Sequence, residues 1–127
     1  MNQSKQSGDY AQVFVYRVLK KNHDAMLKLE GKIMEGWRKH GILGSDFLQL
    51  TNAELVRGFT NIGETIGAGV DEEVWVEVQH YRDQEHREAI FAAIRKDAAM
   101  LELFGQWYGL VTQGKNSVMG DFNKLHI

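Results

Sequence analysis

Residues 72–96 read EEVWVEVQHYRDQEHREAIFAAIRK, and within this stretch a strand pattern turns into a helix pattern over two or three residues. From Val74 to Tyr81 successive side chains point to opposite sides. Val74, Val76, Val78 and His80 share one face, and Trp75, Glu77, Gln79 and Tyr81 share the other, as a period of two requires. At Asp83 the period changes. Aspartate is a good N-cap, because its carboxylate accepts the unpaired amides of a first helical turn, and His86, Ala89, Ile90, Ala93 and Ile94 then recur at steps of three and four. The stretch predicts a two-faced strand running almost directly into a helix.

The flanking chain supplies partners for both elements. Gln12–Leu19, QVFVYRVL, is rich in β-branched and aromatic residues and reads as a first strand, with Val13, Val15 and Arg17 on one side and Phe14, Tyr16 and Val18 on the other. Asn22 is placed to cap the following helix, whose stripe is Met26, Leu29, Ile33, Trp37 and His40 and whose lysines lie largely outside it; Gly41 ends it. Ile42–Leu50 predicts a second strand, entered through Gly44, Ser45 and Asp46. Residues 51–71 hold four glycines and no sustained period, and read as a long connection with one helical turn near Ala53–Arg57. Downstream, Ala98–Tyr108 reads as a short apolar helix over a sheet edge, broken at Gly109, and Ser117–Leu125 as a last strand in which Gly120 signals a bulge or a close backbone approach.

Two βαβ units with split strands and right-handed crossovers give an α+β, ferredoxin-like βαββαβ fold: a four-stranded antiparallel sheet with two helices on one face. At 127 residues the chain reads as a single domain, 1–127, with 1–9 frayed, large enough to bury about two thirds of its unfolded surface. The absence of cysteine excludes disulfides and thiol chemistry and suits a reducing cytoplasm. A net charge of -2, from 15 basic and 17 acidic residues well mixed, offers no field for nucleic acid or an anionic membrane. No segment approaches an apolar membrane span, and the polar N-terminus lacks a signal-peptide run.

Two helices cover one side of such a sheet. The valine side of the first and third strands is expected to meet them, leaving Phe14, Tyr16, Trp75 and Tyr81 on the open side beside Gln12, Glu77 and Gln79. Four large aromatics there would form a patch that monomers rarely carry. A second copy covers it economically about a two-fold axis, and the polar residues among the rings predict a cavity between the sheets able to take a small, partly apolar molecule.

FVYRVLKKN leading into a helix that ends WRKHG, then EEVWVEVQHYRDQEHREAIFAAI and a terminal VMGDF, together resemble a small uncharacterised bacterial family of the dimeric α+β barrel superfamily. The resemblance implies ferredoxin-like protomers whose sheets close into a barrel across a homodimer. It brings no catalytic residues, although the wider superfamily includes oxygenases that work without a cofactor or with haem. The chain departs from that pattern in residues 51–71, which hold none of the proline expected there.

Candidate chemistry centres on the same strands. Phe14, Tyr16, Trp75, Glu77, Gln79, Tyr81 and His80 are the candidates for a cavity or dimer face. In an enzyme, a partly desolvated Glu77 would serve as general base, with Tyr16 or His80 beside it. In a binder or a filled structural module, the same residues would be lining or core. His80 and His86 flank the strand-to-helix junction, but no metal-ligand spacing is present, so neither metal nor cofactor is implied. The glycines at 63, 67 and 69 match no phosphate-loop pattern, and the basic residues on the first helix are broken up by Asp24, Glu30 and Glu35 as on a solvated face.

Overall fold

The computed structural model describes residues 8–51, 54, 56–112 and 117–127. Strand β1 spans Tyr10–Leu19 and passes through a 3-10 turn, Lys20–Asn22, into helix α1, His23–Lys39. Strand β2 is Gly44–Gln49, the short helix α2 is Ile62–Thr65, and strand β3 is Glu72–Tyr81. Helices α3, Gln84–Ile94, and α4, Ala98–Leu110, precede strand β4, Val118–Asn123. The strands form one antiparallel sheet in the order β2-β3-β1-β4. β1 and β2, linked through α1, thus run in the same direction with β3 inserted between them, which is the split βαβ of a ferredoxin-like fold.

Local chemistry sets the helix boundaries. Asp83 caps α3, its Oδ1 accepting from the His86 amide at 2.8 Å, and Asp97 caps α4, accepting from Ala99 and Met100 at 3.1 and 3.2 Å. Gly41 ends α1 at φ 103°, a left-handed conformation that costs glycine little. Asn22 does not cap α1 with its side chain; it closes the 3-10 turn, and its Nδ2 donates to the Leu110 carbonyl at 3.3 Å.

Helix α4 is longer than its sequence suggests. It runs through Gly105 and Gly109 to Leu110 and packs along α1 instead of over an edge. Trp107, anchored on the sheet side of the molecule, holds the last turn, so tertiary packing overrides glycine's poor helix propensity. Where α1 and α4 meet, Gly36 lies against the Met100 sulfur with no room for a Cβ. Gly31, by contrast, is exposed, with open space where a Cβ would project. Gly31→Ala is expected to stabilise the protein by about 0.5–1 kcal/mol, read as a raised urea midpoint at unchanged slope.

Gly120 forms no bulge. It pairs with Val13 in an unbroken register from Val15↔Val118 to Tyr10↔Asn123, and the close approach is that of the Phe122 ring, 3.3 Å from where a Cβ would stand. In the connection before β3, α2 is capped by the Asn61 side chain, which accepts from the Gly63 amide at 2.9 Å; of the helical turn expected near Ala53–Arg57, positions 53 and 55 lie outside the described residues, and Glu54, Val56 and Arg57 are not helical.

The two sheet faces are the reverse of those expected. The helices cover the side bearing Tyr10, Gln12, Phe14, Tyr16 and Val18 of β1 and Trp75, Glu77, Gln79 and Tyr81 of β3, where Tyr16, Val18 and Tyr81 are 0–1% exposed. The open side is the valine side, with Val13 opposite Val78 and Val15 opposite Val76, all half-buried. Leu48, Val118 and Phe122 extend it and are about half exposed. A period of two separates the faces without naming the covered one. Here α1, α3 and α4 leave a deep space that only long side chains bridge, as in the Tyr16–Trp107 edge-to-face contact at 4.9 Å. Small β-branched residues make a flat surface instead. Among the described residues no helix is long and apolar enough to cross a membrane.

Candidate functional site

Between the helix-covered side of the sheet and α1, α3 and α4 lies a cavity of about 540 Å³. Ile33 and Trp37 of α1, Phe91 of α3 and Phe104 of α4 make it largely apolar, and the exposed Leu101, Tyr108 and Arg95 stand at its mouth. Its floor is polar: Tyr16 and Phe14 of β1 and Glu77 and Gln79 of β3 face Glu30 of α1 and Trp107 of α4.

The floor is one hydrogen-bonded unit. Glu30 Oε2 accepts from the Tyr16 hydroxyl and from Trp107 Nε1, each at 2.9 Å. The same hydroxyl lies 3.4 Å from Glu77 Oε1. Glu77 Oε2 accepts from Gln79 Nε2 at 2.7 Å, and Gln79 Oε1 from the Tyr81 hydroxyl at 2.6 Å, which fixes the orientation of the amide. Glu30 and Glu77 are 4% and 6% exposed, and among the described residues neither forms an ion pair.

Two carboxyl groups withdrawn from water without a cation cannot both ionise readily. Burial, and then the neighbouring Glu30 charge, push Glu77 up to about 8. Burial also raises Glu30, against the opposing donors Trp107 and Tyr16. The Tyr16 phenol is driven far above its ordinary range by burial and by both carboxylates. Tyr16 has a single proton and gives it to Glu30, so its contact with Glu77 becomes favourable when Glu77 carries a proton of its own. Near neutral pH Glu77 thus keeps its proton, and the phenol bridges it to Glu30.

Of the sequence candidates, Phe14, Tyr16, Glu77 and Gln79 line this cavity, which lies under the helices of one chain. Trp75 is buried beyond it, its Nε1 donating to Glu73 Oε1 at 2.8 Å. Tyr81 acts from behind through Gln79. His80 is on the other side of the sheet, 3.1 Å from Asp46 Oδ2. His86 does not approach His80: its Nδ1 accepts from the Arg82 amide at 3.0 Å and its Nε2 lies 3.1 Å from the Gly41 carbonyl, the pattern of a neutral ring. His40 bonds Asp97 at 2.8 Å, joining the end of α1 to the start of α4. Among the described residues no three His, Asp or Glu side chains converge as a metal would require.

Glu30 and Trp107 are absent from the sequence candidates. A signal for Glu30 was present, since it stands four residues after Met26 and three before Ile33, inside the apolar stripe of α1. A carboxylate in a buried stripe demands partners. Trp107, 77 positions further on, had no such local mark.

Residues 9–107 match the family model described as "Protein of unknown function (DUF1428)". The chain belongs to the DUF1428 family. No curated protein matches it significantly. Among solved structures, this DUF1428 chain is similar to a mutant of SnoaB, described as a cofactor-independent oxygenase from Streptomyces nogalater. The TM-score is 0.58 at 11% identity, over 94% of this chain and 97% of that one. At such identity the likeness is one of fold, and it accords with the ferredoxin-like α+β architecture.

Proposed function

We propose that the protein binds a small, largely apolar molecule in the cavity beneath its helices, with the polar end of that molecule on the Glu30–Tyr16–Glu77 floor. One observation carries this reading: a space of about 540 Å³, within the range of small-molecule sites, combines an apolar wall with a few converging polar groups. A filled structural module would have closed that space with side chains. We further propose a homodimer joined through the valine faces, in the cytoplasm, where a chain without cysteine loses nothing to reduction.

A second reading, a cofactor-independent oxygenase-like enzyme, draws on the floor's proton inventory and on the fold likeness to SnoaB. Glu30, withdrawn from water and raised by burial, has the environment of a general base for a weakly acidic organic substrate. Glu77, named as base from the sequence, is the proton-holding partner of the pair.

Titration with 2-naphthol, followed by tryptophan emission, tests the binding reading. Saturable quenching with one site per protomer is expected, because Trp37 and Trp107 line the cavity. Leu101→Trp, filling the half-exposed mouth, is expected to weaken it at least fivefold. A linear, non-saturating response that ignores Leu101→Trp would sink the proposal. Oxygen uptake during the same titration separates the two readings, a steady uptake abolished by Glu30→Gln being the mark of the enzyme.

A further inference from the structure

The carboxyl pair of the floor lacks a counterion. Glu30 is 4% exposed and its Oε2 is held by two neutral donors, Tyr16 and Trp107. Among the described residues no Lys, Arg or His forms an ion pair with Glu30 or with Glu77. Arg95, the cation at the cavity's rim, is exposed and pairs with neither. A buried carboxylate is ordinarily matched by a cation of the fold. Here the matching volume is open space, and its walls are aromatic: Tyr16 and Trp107 meet edge to face at 4.9 Å, Trp107 and Tyr108 at 5.1 Å, with Phe14 and Phe104 beside them. Ring faces attract cations, and a carboxylate beside such rings makes a site that prefers an ammonium over a neutral or anionic group of the same shape.

We propose that the cavity selects a monoprotonated organic amine with an aromatic-sized apolar substituent, its ammonium placed beside Glu30 and against the Tyr16 and Trp107 rings. The inference rests on the cavity-binding reading above and adds the charge of the ligand. Three features fit one cation better than any other ligand class. The floor has one acceptor-rich carboxylate whose second oxygen, Oε1, takes part in no hydrogen bond recorded among the described residues. Its second carboxyl, Glu77, is restrained by Gln79 and turned towards Tyr16. An anionic ligand would bring its charge against two buried carboxyl groups, and a neutral one would offer neither of them a cation.

Three probes of nearly equal size test this: 2-phenylethylamine, 2-phenylethanol and 3-phenylpropanoate, each titrated at neutral pH by tryptophan fluorescence and calorimetry. The amine is expected to bind at least tenfold more tightly than the alcohol, with the carboxylate weakest. In Glu30→Gln, which keeps an acceptor for Tyr16 and Trp107, the ratio of amine to alcohol affinity is expected to fall close to one. An alcohol that binds the wild-type protein as tightly as the amine overturns the cation inference while leaving the cavity reading standing. A preference that survives Glu30→Gln overturns the role given to Glu30. Failure of all three probes overturns the cavity reading, and this inference with it. Should Glu30→Gln not fold, the wild-type rank order decides.

Discussion

Glu77→Gln is expected to abolish most of the loss of stability that the wild-type protein suffers between about pH 5 and pH 8. Glu77 has an ordinary value of 4.5 and is raised to about 8 in the fold, first by burial and then by the charge on Glu30. Below 4.5 both folded and unfolded chains carry this proton, and the site contributes fully to stability. As pH rises, the unfolded chain releases the proton first, so folding must take one up, and stability falls by up to about 1.4 kcal/mol per pH unit until the folded Glu77 also ionises. Across the whole interval the loss amounts to roughly 3–5 kcal/mol, a large share of the stability of a small domain.

Glu30, also raised by burial, adds a loss of the same sign as pH rises, and the remaining shifted groups act elsewhere or more weakly. Glu72, lowered chiefly by the Gly69 amide, and Asp97, lowered chiefly by His40, lose their contributions as pH falls below the ordinary carboxylate range. His23, raised by its bond to Glu73, adds a small loss as pH rises, and His86, lowered by burial, opposes it. Glutamine imitates the neutral acid: its carbonyl accepts from Gln79 and its amide faces Tyr16, with no proton to release. Urea melts at about pH 5, 6.5 and 8 decide the matter. Wild-type stability should decline across the series, while Glu77→Gln, which keeps only the Glu30 contribution, declines less steeply and exceeds it at pH 8. Parallel declines in the two proteins would show that Glu77 is not the group responsible.

The same residues show what sequence carries and what it withholds. The alternation at 72–81 and the switch at Asp83 specify β3 and α3 because strand period and N-cap chemistry are local, and Asp83 indeed holds the His86 amide. Which face the helices cover is not local. It depends on how far α1 and α4 stand from the sheet, and α4 owes its position to Trp107 meeting Tyr16 and Glu30 across 77 or more positions of chain. Both faces of β1 and β3 are apolar enough to be buried, so composition favours neither. Polar residues break the tie: Gln12, Glu77 and Gln79 are almost completely buried on the covered side, where Gln12 Nε2 donates to Asp121 of β4 and Glu77 accepts from Tyr16 of β1 and from Gln79. Such a network is tolerable only where several elements converge on it. Glu30, set in the stripe of α1, was the clue to that convergence.

Val78→Asp is expected to convert the protein from a dimer to a folded monomer. The exchange of faces moves the surface for self-association onto the valines, and the reasoning for a second copy moves with it. Val13 and Val78 are directly opposed near the middle of the open side, Val15 and Val76 flank them, and Leu48, Val118 and Phe122 continue the apolar surface to both edge strands. Charges stand towards its border, where His80 pairs with Asp46 at 3.1 Å and Arg17 with Glu72 at 3.4 Å. An apolar centre with a polar rim is the anatomy of an interface, and a two-fold axis through Val78 would let each face bury its own copy. An aspartate there costs an isolated protomer about 1 kcal/mol of strand propensity and, across from Asp46, a further fraction of that in like-charge repulsion at the solvated edge. Between two copies it would bring two carboxylates together away from water, at a cost of several kcal/mol. Sedimentation at micromolar concentration should give twice 14.5 kDa for the wild type and 14.5 kDa for Val78→Asp, with the far-ultraviolet dichroism of the two alike. A wild-type chain sedimenting at 14.5 kDa, or a Val78→Asp protein that remains dimeric, would remove the valine face as the site of association.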